Sequence, residues 1–257
     1  MILQGDIVNE KYNKGFTLIE LSIVIVIIGL IVAGIVGGQA IVRQAKVRAI
    51  ISDYNQTLSS INAFNLEYNG LPGDFNRATA YGIGGDGDGN KKIQGQTVEG
   101  YYAWQHLSNA GLISGSYTGV DAGNPDYQLG INIPPSSYGG NVAIHLSYIG
   151  SVGSNCLTLV TLPLFGVINE TNVITFGAIE NAPSGCPRVG FLKVSEAHGI
   201  DTKIDDGSPD SGIMFSANTS DQNNNGNRCV DNNVQGTGGA NYDFDEEGND
   251  CRILFKF

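Results

Sequence analysis

The sequence predicts an α+β fold. One long N-terminal α-helix, membrane-length in its first half and amphipathic in its second, packs on an antiparallel β-sheet head. Three observations predict it. Residues 16–38 form a 23-residue apolar run with a single charge, Glu20. Beyond it, Val47, Ile50, Ile51, Tyr54, Leu58, Ile61, Phe64 and Tyr68 recur at steps of three and four, as on a helix that buries one face. Further on, Val142, Ile144, Leu146 and Tyr148 alternate with Ala143, His145 and Ser147, the period of a strand.

The first element is set by length and charge. As a helix at ~1.5 Å per residue, the apolar run reaches about 34 Å, enough for a hydrocarbon core of ~30 Å. A secretory signal needs an apolar core of only ~7–15 residues, and Glu20 interrupts the part that should be clean. An ordinary membrane anchor explains the length but not the acid, since a charge in lipid costs roughly 2.5–3.5 kcal/mol by insertion scales. The helix then continues with Arg43, Lys46, Arg48, Asp53, Gln56, Ser60 and Glu67 around the apolar stripe. Asn69-Gly70-Leu71-Pro72-Gly73 ends it, with Gly suited to the cap and Pro unable to continue. From Phe16 to Tyr68 it would run ~80 Å.

The remaining elements follow in order. A Gly-rich loop covers 82–90. A short helix is predicted over Val98 to Ala110, with Tyr101, Trp104 and Leu107 at helical steps and Gly111 just past its end. After the strand at 142–148, Leu157–Val160 and Val173–Ile179 read as further strands, Phe191–Ile204 as a third helix, and Ile213–Ser216 and Ile253–Phe257 as late strands. A helix on an antiparallel sheet is one of the stable layered solutions.

The segment from Gly15 to Leu30, Gly-Phe-Thr-Leu-Ile-Glu-Leu-Ser followed by an unbroken apolar run, closely resembles the N-terminus of type IV pilins and of type II secretion pseudopilins. The resemblance implies cleavage by a prepilin peptidase between Gly15 and Phe16 and N-methylation of Phe16. Residues 1–15 would then be a leader, 16–69 the N-terminal helix with 16–38 transmembrane, and 70–257 the head. Lys11 and Lys14 fit retention of the leader in the cytoplasm. The resemblance also implies a role for Glu20 in filament assembly. Cleavage creates an ammonium at Phe16, and a neighbouring subunit's Glu20 can neutralise it, so that two charges costly in lipid become one register-setting pair. Where many type IV pilins carry a proline, this chain has Gly37 followed by Gly38. Gly costs a helix interior ~1 kcal/mol against ~3 for Pro, so a soft spot at 34–38 is expected rather than a fixed kink. The stretches 71–78, 81–94, 98–119 and 197–212 resemble a large-headed pilin-like subgroup less specifically.

Removing the 15 leader residues from 257 leaves 242, enough for the helix and one good-sized head. The net charge of −11 argues against nonspecific nucleic-acid binding, which needs basic patches. Thirty-six glycines forecast many loops and tight turns. Cys156, Cys186, Cys229 and Cys251 all follow the membrane segment, on the side of an oxidising periplasm. Four cysteines allow three pairings. Pairing of sequence neighbours, Cys156–Cys186 and Cys229–Cys251, is favoured, the second falling where many pilins have a disulfide-bounded C-terminal loop. No Cys-x-x-Cys is present, and no His lies close to a Cys, which disfavours zinc.

Asp86-Gly87-Asp88-Gly89-Asn90 carries the alternating oxygen ligands of a calcium loop. Lys91 stands where such a loop has Gly, Thr97 stands where it has Glu, and Glu99 falls two residues late but could close a looser site. The candidate calcium ligands are therefore Asp86, Asp88, Asn90 and Glu99, weighed against a plain acidic surface loop. The overlapping Gly82, Gly84 and Gly87 match a nucleotide-binding pattern weakly, with no strand before them and two Asp to repel phosphate. Weaker acidic clusters lie at 221–226 and 243–250. His106, His145 and His198 are expected to be satisfied surface residues, and nothing indicates an enzyme.

The function expected is a homo-oligomeric filament subunit of a type IV pilus or pilus-like fimbrium. It would be held in the inner membrane before assembly, act with the assembly platform there, and reach the cell surface or periplasm afterwards. A type II secretion pseudopilin is the close alternative. A membrane-anchored, calcium-dependent binding module that never polymerises is the alternative of another class.

Overall fold

A computed structural model describes residues 15–94, 98–120, 126–149, 170–179, 186–218, 228–231, 239–245 and 248–257. The chain divides between Ala45 and Lys46 into two units. Helix α1 spans Leu18–Tyr68, and Gly34, Gly37 and Gly38 are helical within it.

In the N-terminal unit the helix exposes its large apolar side chains all round, from Leu18 to Val42. It is long and apolar enough to cross a membrane, and none of its most apolar window is buried inside the protein. In the second unit the helix has a buried face made by Val47, Ile50, Tyr54, Thr57, Ile61 and Phe64. Two polar contacts lock that face. Asp53 accepts hydrogen bonds from Ser136 Oγ (2.8 Å) and Ser137 N–H (2.7 Å), and Ser60 Oγ donates to the Leu112 carbonyl (3.0 Å). Asn69 takes the left-handed cap conformation (φ 53°) that the sequence assigns to Gly70. Asn is the other residue that tolerates it.

The head is α+β, as predicted. Helices α2 (Ala78–Tyr81) and α3 (Val98–Asn109) precede strand β1 (Val142–Ile149). Then come β2 (Thr171–Ile179), β3 (Pro187–Val189), helix α4 (Val194–Ile204), β4 (Met214–Asn218) and β5 (Cys251–Lys256). The sheet order is β1-β2-β5-β4, with β3 paired to the end of β2, and every pairing is antiparallel. The register sets Leu146 opposite Ile174 and Phe176 opposite Ile253, so these side chains share the main core with the buried face of α1. Tyr54 stacks on Phe255 at 4.2 Å between ring centroids. The opposite sheet face carries a smaller apolar cluster of Ile149, Val173, Phe215, Ala217 and Leu254.

Two expectations are corrected. Phe191 and Leu192 are not helical. Leu192 forms a bridge with Cys251 through reciprocal backbone hydrogen bonds (3.1 and 3.0 Å), and α4 begins only at Val194, where Glu196 accepts the Lys193 N–H (2.9 Å). His106 and His145 are not surface residues. Both are almost wholly buried and hydrogen-bonded. Cys229 and Cys251 form a disulfide, as expected, with 4.8 Å between their Cα atoms. Cys186 is also disulfide-bonded. Its expected partner Cys156, the expected strand at 157–160 and the acidic cluster at 221–226 lie outside the described residues.

Candidate functional site

Two sites follow from the fold, one on each unit. Before the helix Gly15 and Phe16 are exposed, and Phe16 keeps 86 % of its surface in solvent. Thr17 caps α1. The Thr17 N–H and hydroxyl both donate to one Glu20 carboxylate oxygen (2.8 and 2.7 Å), while the Glu20 N–H donates back to Thr17 Oγ1 (3.3 Å). This is a capping box, which satisfies donors that a helix start would leave bare. The pattern Thr-x-x-Glu is visible in the sequence. It gives Glu20 an intrachain role that the charge-pair reading overlooks.

The second site lies in the head, where three backbone segments meet. Gly73 turns the chain after Pro72 with φ 89°, and a Cβ there would strike the Glu99 carbonyl. The next residue, Asp74, is only 3 % exposed. Its two carboxylate oxygens accept the N–H groups of Asn90 and Lys91, each at 2.8 Å. The acidic loop packs flat against this turn. The Gly87 N–H donates to the Phe75 carbonyl (3.0 Å) and the Gly89 N–H to the Asp74 carbonyl (2.9 Å). A side chain at Gly87 would run into the backbone of Gly73 and Asp74. Lys91 adopts φ 68°, the conformation a glycine supplies at the same place in a calcium loop.

The third segment is the first turn of α3, where Glu99 is 4 % exposed. Its oxygens accept the N–H groups of Asp88 (3.1 Å) and Gln94 (2.9 Å). Asp74, Asp88 and Glu99 each present a carboxylate oxygen within 4.8 Å of the others. A cleft of about 250 Å³ opens beside them, lined by Asp86, Gly87, Asp88, Gln94, Val98 and Glu99. Burial pushes the Asp74 and Glu99 carboxyls above their ordinary range, and the charge of Asp88 adds to both. An all-oxygen donor set that resists carrying its full negative charge fits a hard cation such as calcium, with waters completing the 6–8 ligands.

Of the four ligands expected from sequence, the structure brings Asp88 and Glu99 together and adds Asp74. Asp86 lines the cleft, but one of its oxygens accepts the Thr79 N–H (2.7 Å) in the first turn of α2. The Asn90 side chain bonds Asp88 (2.7 Å) and the Lys92 N–H (2.8 Å). Asp74 escapes sequence reasoning because it lies outside the Asp-x-Asp-x-Asn repeat, in the turn after Pro72.

A further carboxylate group, Asp201, Asp205 and Asp206, closes the end of α4. Its oxygens, like those of the first group, accept hydrogen bonds from the fold. Asp201 accepts from Tyr242 Oη (2.8 Å), Asp205 from the N–H groups of Ile213 and Met214, and Asp206 from Ser211 Oγ (2.6 Å). Burial holds the Asp201 carboxyl up at about 6.

Residues 11–36 match the family model of the prokaryotic N-terminal methylation motif. The match covers the N-terminal segment alone and supports its likeness to the N-termini of pilins and pseudopilins. The motif implies prepilin peptidase processing and filament assembly in general. With the apolar helix it is consistent with membrane anchoring. No curated protein and no solved structure matches the chain significantly.

Proposed function

We propose that the chain is the structural subunit of a type IV pilus or pilus-like filament, cut between Gly15 and Phe16, methylated on Phe16 and polymerised through α1. The observation that carries this is the methylation motif at residues 11–36, set on a helix whose exposed apolar surface contains one charge, Glu20. Packed helices of a filament or a lipid bilayer would cover such a surface. Deleting the gene tests the destination. Loss of surface filaments in electron micrographs supports the pilus. A secretion defect in cells that never bore filaments supports the second reading, a type II secretion pseudopilin.

Calcium binding by Asp74, Asp88 and Glu99 is the second part of the proposal, favoured by the convergence of the three oxygens within 4.8 Å beside an open cleft. The ion would draw the acidic loop, the 73–76 turn and the start of α3 together, stabilising the head outside the cell. Without calcium, carboxyls raised in the folded state hold protons that the unfolded chain has already lost. Their contribution to stability is therefore present at low pH and lost as pH rises through the window above ~4, the ordinary carboxylate value. Asp201 adds a calcium-independent loss of the same sign up to about 6. Calcium replaces the protons on Asp74 and Glu99. Millimolar calcium is expected to raise Tm by several degrees at pH 7 and by little at pH 4. An unchanged Tm at pH 7 would refute the calcium reading.

A further inference from the structure

We propose that His106 is a positioning residue for the Asp74–Asp88–Glu99 group, its ring clamping the two backbone turns that carry Asp74 and Asp88. The proposal rests on the calcium reading above. The Gly73 N–H, one residue before Asp74, donates to His106 Nδ1 at 3.0 Å. Nδ1 must therefore be bare, so the proton sits on Nε2, which donates to the Gly85 carbonyl at 2.8 Å, three residues before Asp88. One neutral imidazole thus ties both flanks of the site.

The ring has little freedom to do anything else. It is 0 % exposed. Phe64 of α1 and Tyr102 of α3 stack on it, each at 5.9 Å and within 13° of parallel. Glycine lets the backbone approach, because a Cβ at Gly84 would sit 2.8 Å from the ring's Cδ2. Glu99 lies seven residues before His106 on the same helix, and seven residues at ~100° each return to within about 20° of the same face. One face of α3 therefore supplies the third carboxylate directly and fixes the other two through His106. Both nitrogens of a buried imidazole need partners, and here both partners come from the turns that carry Asp74 and Asp88. Coordination with three backbone segments gains most when they are held at bonding distance before the ion arrives, because the ion then does not have to order them.

The test uses the full chain in detergent, titrated with calcium chloride by calorimetry, with Tm measured in EDTA. His106→Phe keeps the ring stack and removes both hydrogen bonds. It is expected to weaken calcium binding at least tenfold, and His106→Gln, with one acceptor and one donor, is expected to recover part of that loss. Wild-type affinity in His106→Phe would overturn the proposal. If His106→Phe does not fold, the wild-type chain still decides. Coupling is reciprocal, so saturating calcium should slow hydrogen exchange at the Gly73 amide at least tenfold, and an unchanged rate would overturn the clamp. A wild-type chain that binds no calcium fails the calcium reading itself and takes this inference with it. Normal wild-type binding with an indifferent His106→Phe fails the inference alone.

Discussion

Replacing Glu20 with alanine is expected to leave the chain in the membrane and abolish its filaments. Insertion should be unimpaired, since removing a carboxylate from an apolar segment relieves roughly 2.5–3.5 kcal/mol. Two things are lost. One is the capping box, in which Glu20 and Thr17 satisfy each other's backbone and side-chain groups, worth about 1 kcal/mol. The other, and on the proposed function the larger, is the counterion for the ammonium that cleavage would create on Phe16. An unpaired charge in a packed helical core costs about 3–5 kcal/mol per subunit, and that cost recurs at every addition. Glu20→Gln separates the two roles. Glutamine serves in a capping box as well as glutamate does, but it carries no charge. Filament yield from membranes, measured with membrane content of the chain, should fall to background for both variants. Normal filaments from Glu20→Gln would show that Glu20 acts only as a helix cap.

Removing the C-terminal disulfide is expected to be the most damaging change to the head. Cys229 and Cys251 are fully buried and separated by 22 residues. Cross-linking a loop of that length constrains the unfolded chain by about 3 kcal/mol, a large share of the ~5–15 kcal/mol that holds a typical domain together. The bridge also sits where it matters for the sheet. Cys251 is the first residue of β5, the strand between β2 and β4, and it bonds Leu192 at the same time. The Cys229 and Val230 N–H groups both donate to Asn218 Oδ1 at the end of β4 (2.7 and 2.9 Å). Cys229→Ser should lower Tm by roughly 6–12 °C, taking ~2–4 °C per kcal/mol for a domain of this size. A drop below about 2 °C by circular dichroism would mean that the loop is held by its other bonds alone.

The long helix and the antiparallel head were legible in sequence because their signals are local. The run after Phe16 needs no tertiary information, and the stripe from Val47 to Tyr68 and the alternation at 142–148 show directly which faces bury. The methylation motif lies in the same readable segment. The losses have one physical cause, which is that long-range contacts override local pattern. Phe191 and Leu192 continue the apolar rhythm of α4, yet the backbone of Cys251 claims Leu192 for a bridge. His145 sits on what looks like the polar face of β1, but both faces of that strand are buried and the ring bonds Tyr127 Oη at 3.0 Å. Strand β3 has three residues, too few for alternation to show. In the head, the Asp-x-Asp-x-Asn repeat marked a loop that joins a carboxylate cluster, but of its residues only Asp88 belongs to that cluster. Every-second-residue spacing assumes one loop wrapped on one ion, whereas Gly87 lets this loop lie against the 73–76 turn, and that contact substitutes Asp74 for Asp86 and Asn90.

On the proposed function, this chain becomes a filament subunit only after the bond between Gly15 and Phe16 is cut. Mass spectrometry of the N-terminal peptide from sheared, purified filaments tests it most directly. Abundant filament peptides are expected to begin at Phe16 and to carry one methyl group on the terminal nitrogen. Filaments without this chain, or a membrane-bound population in which residues 1–15 remain attached in cells with an active prepilin peptidase, would contradict it.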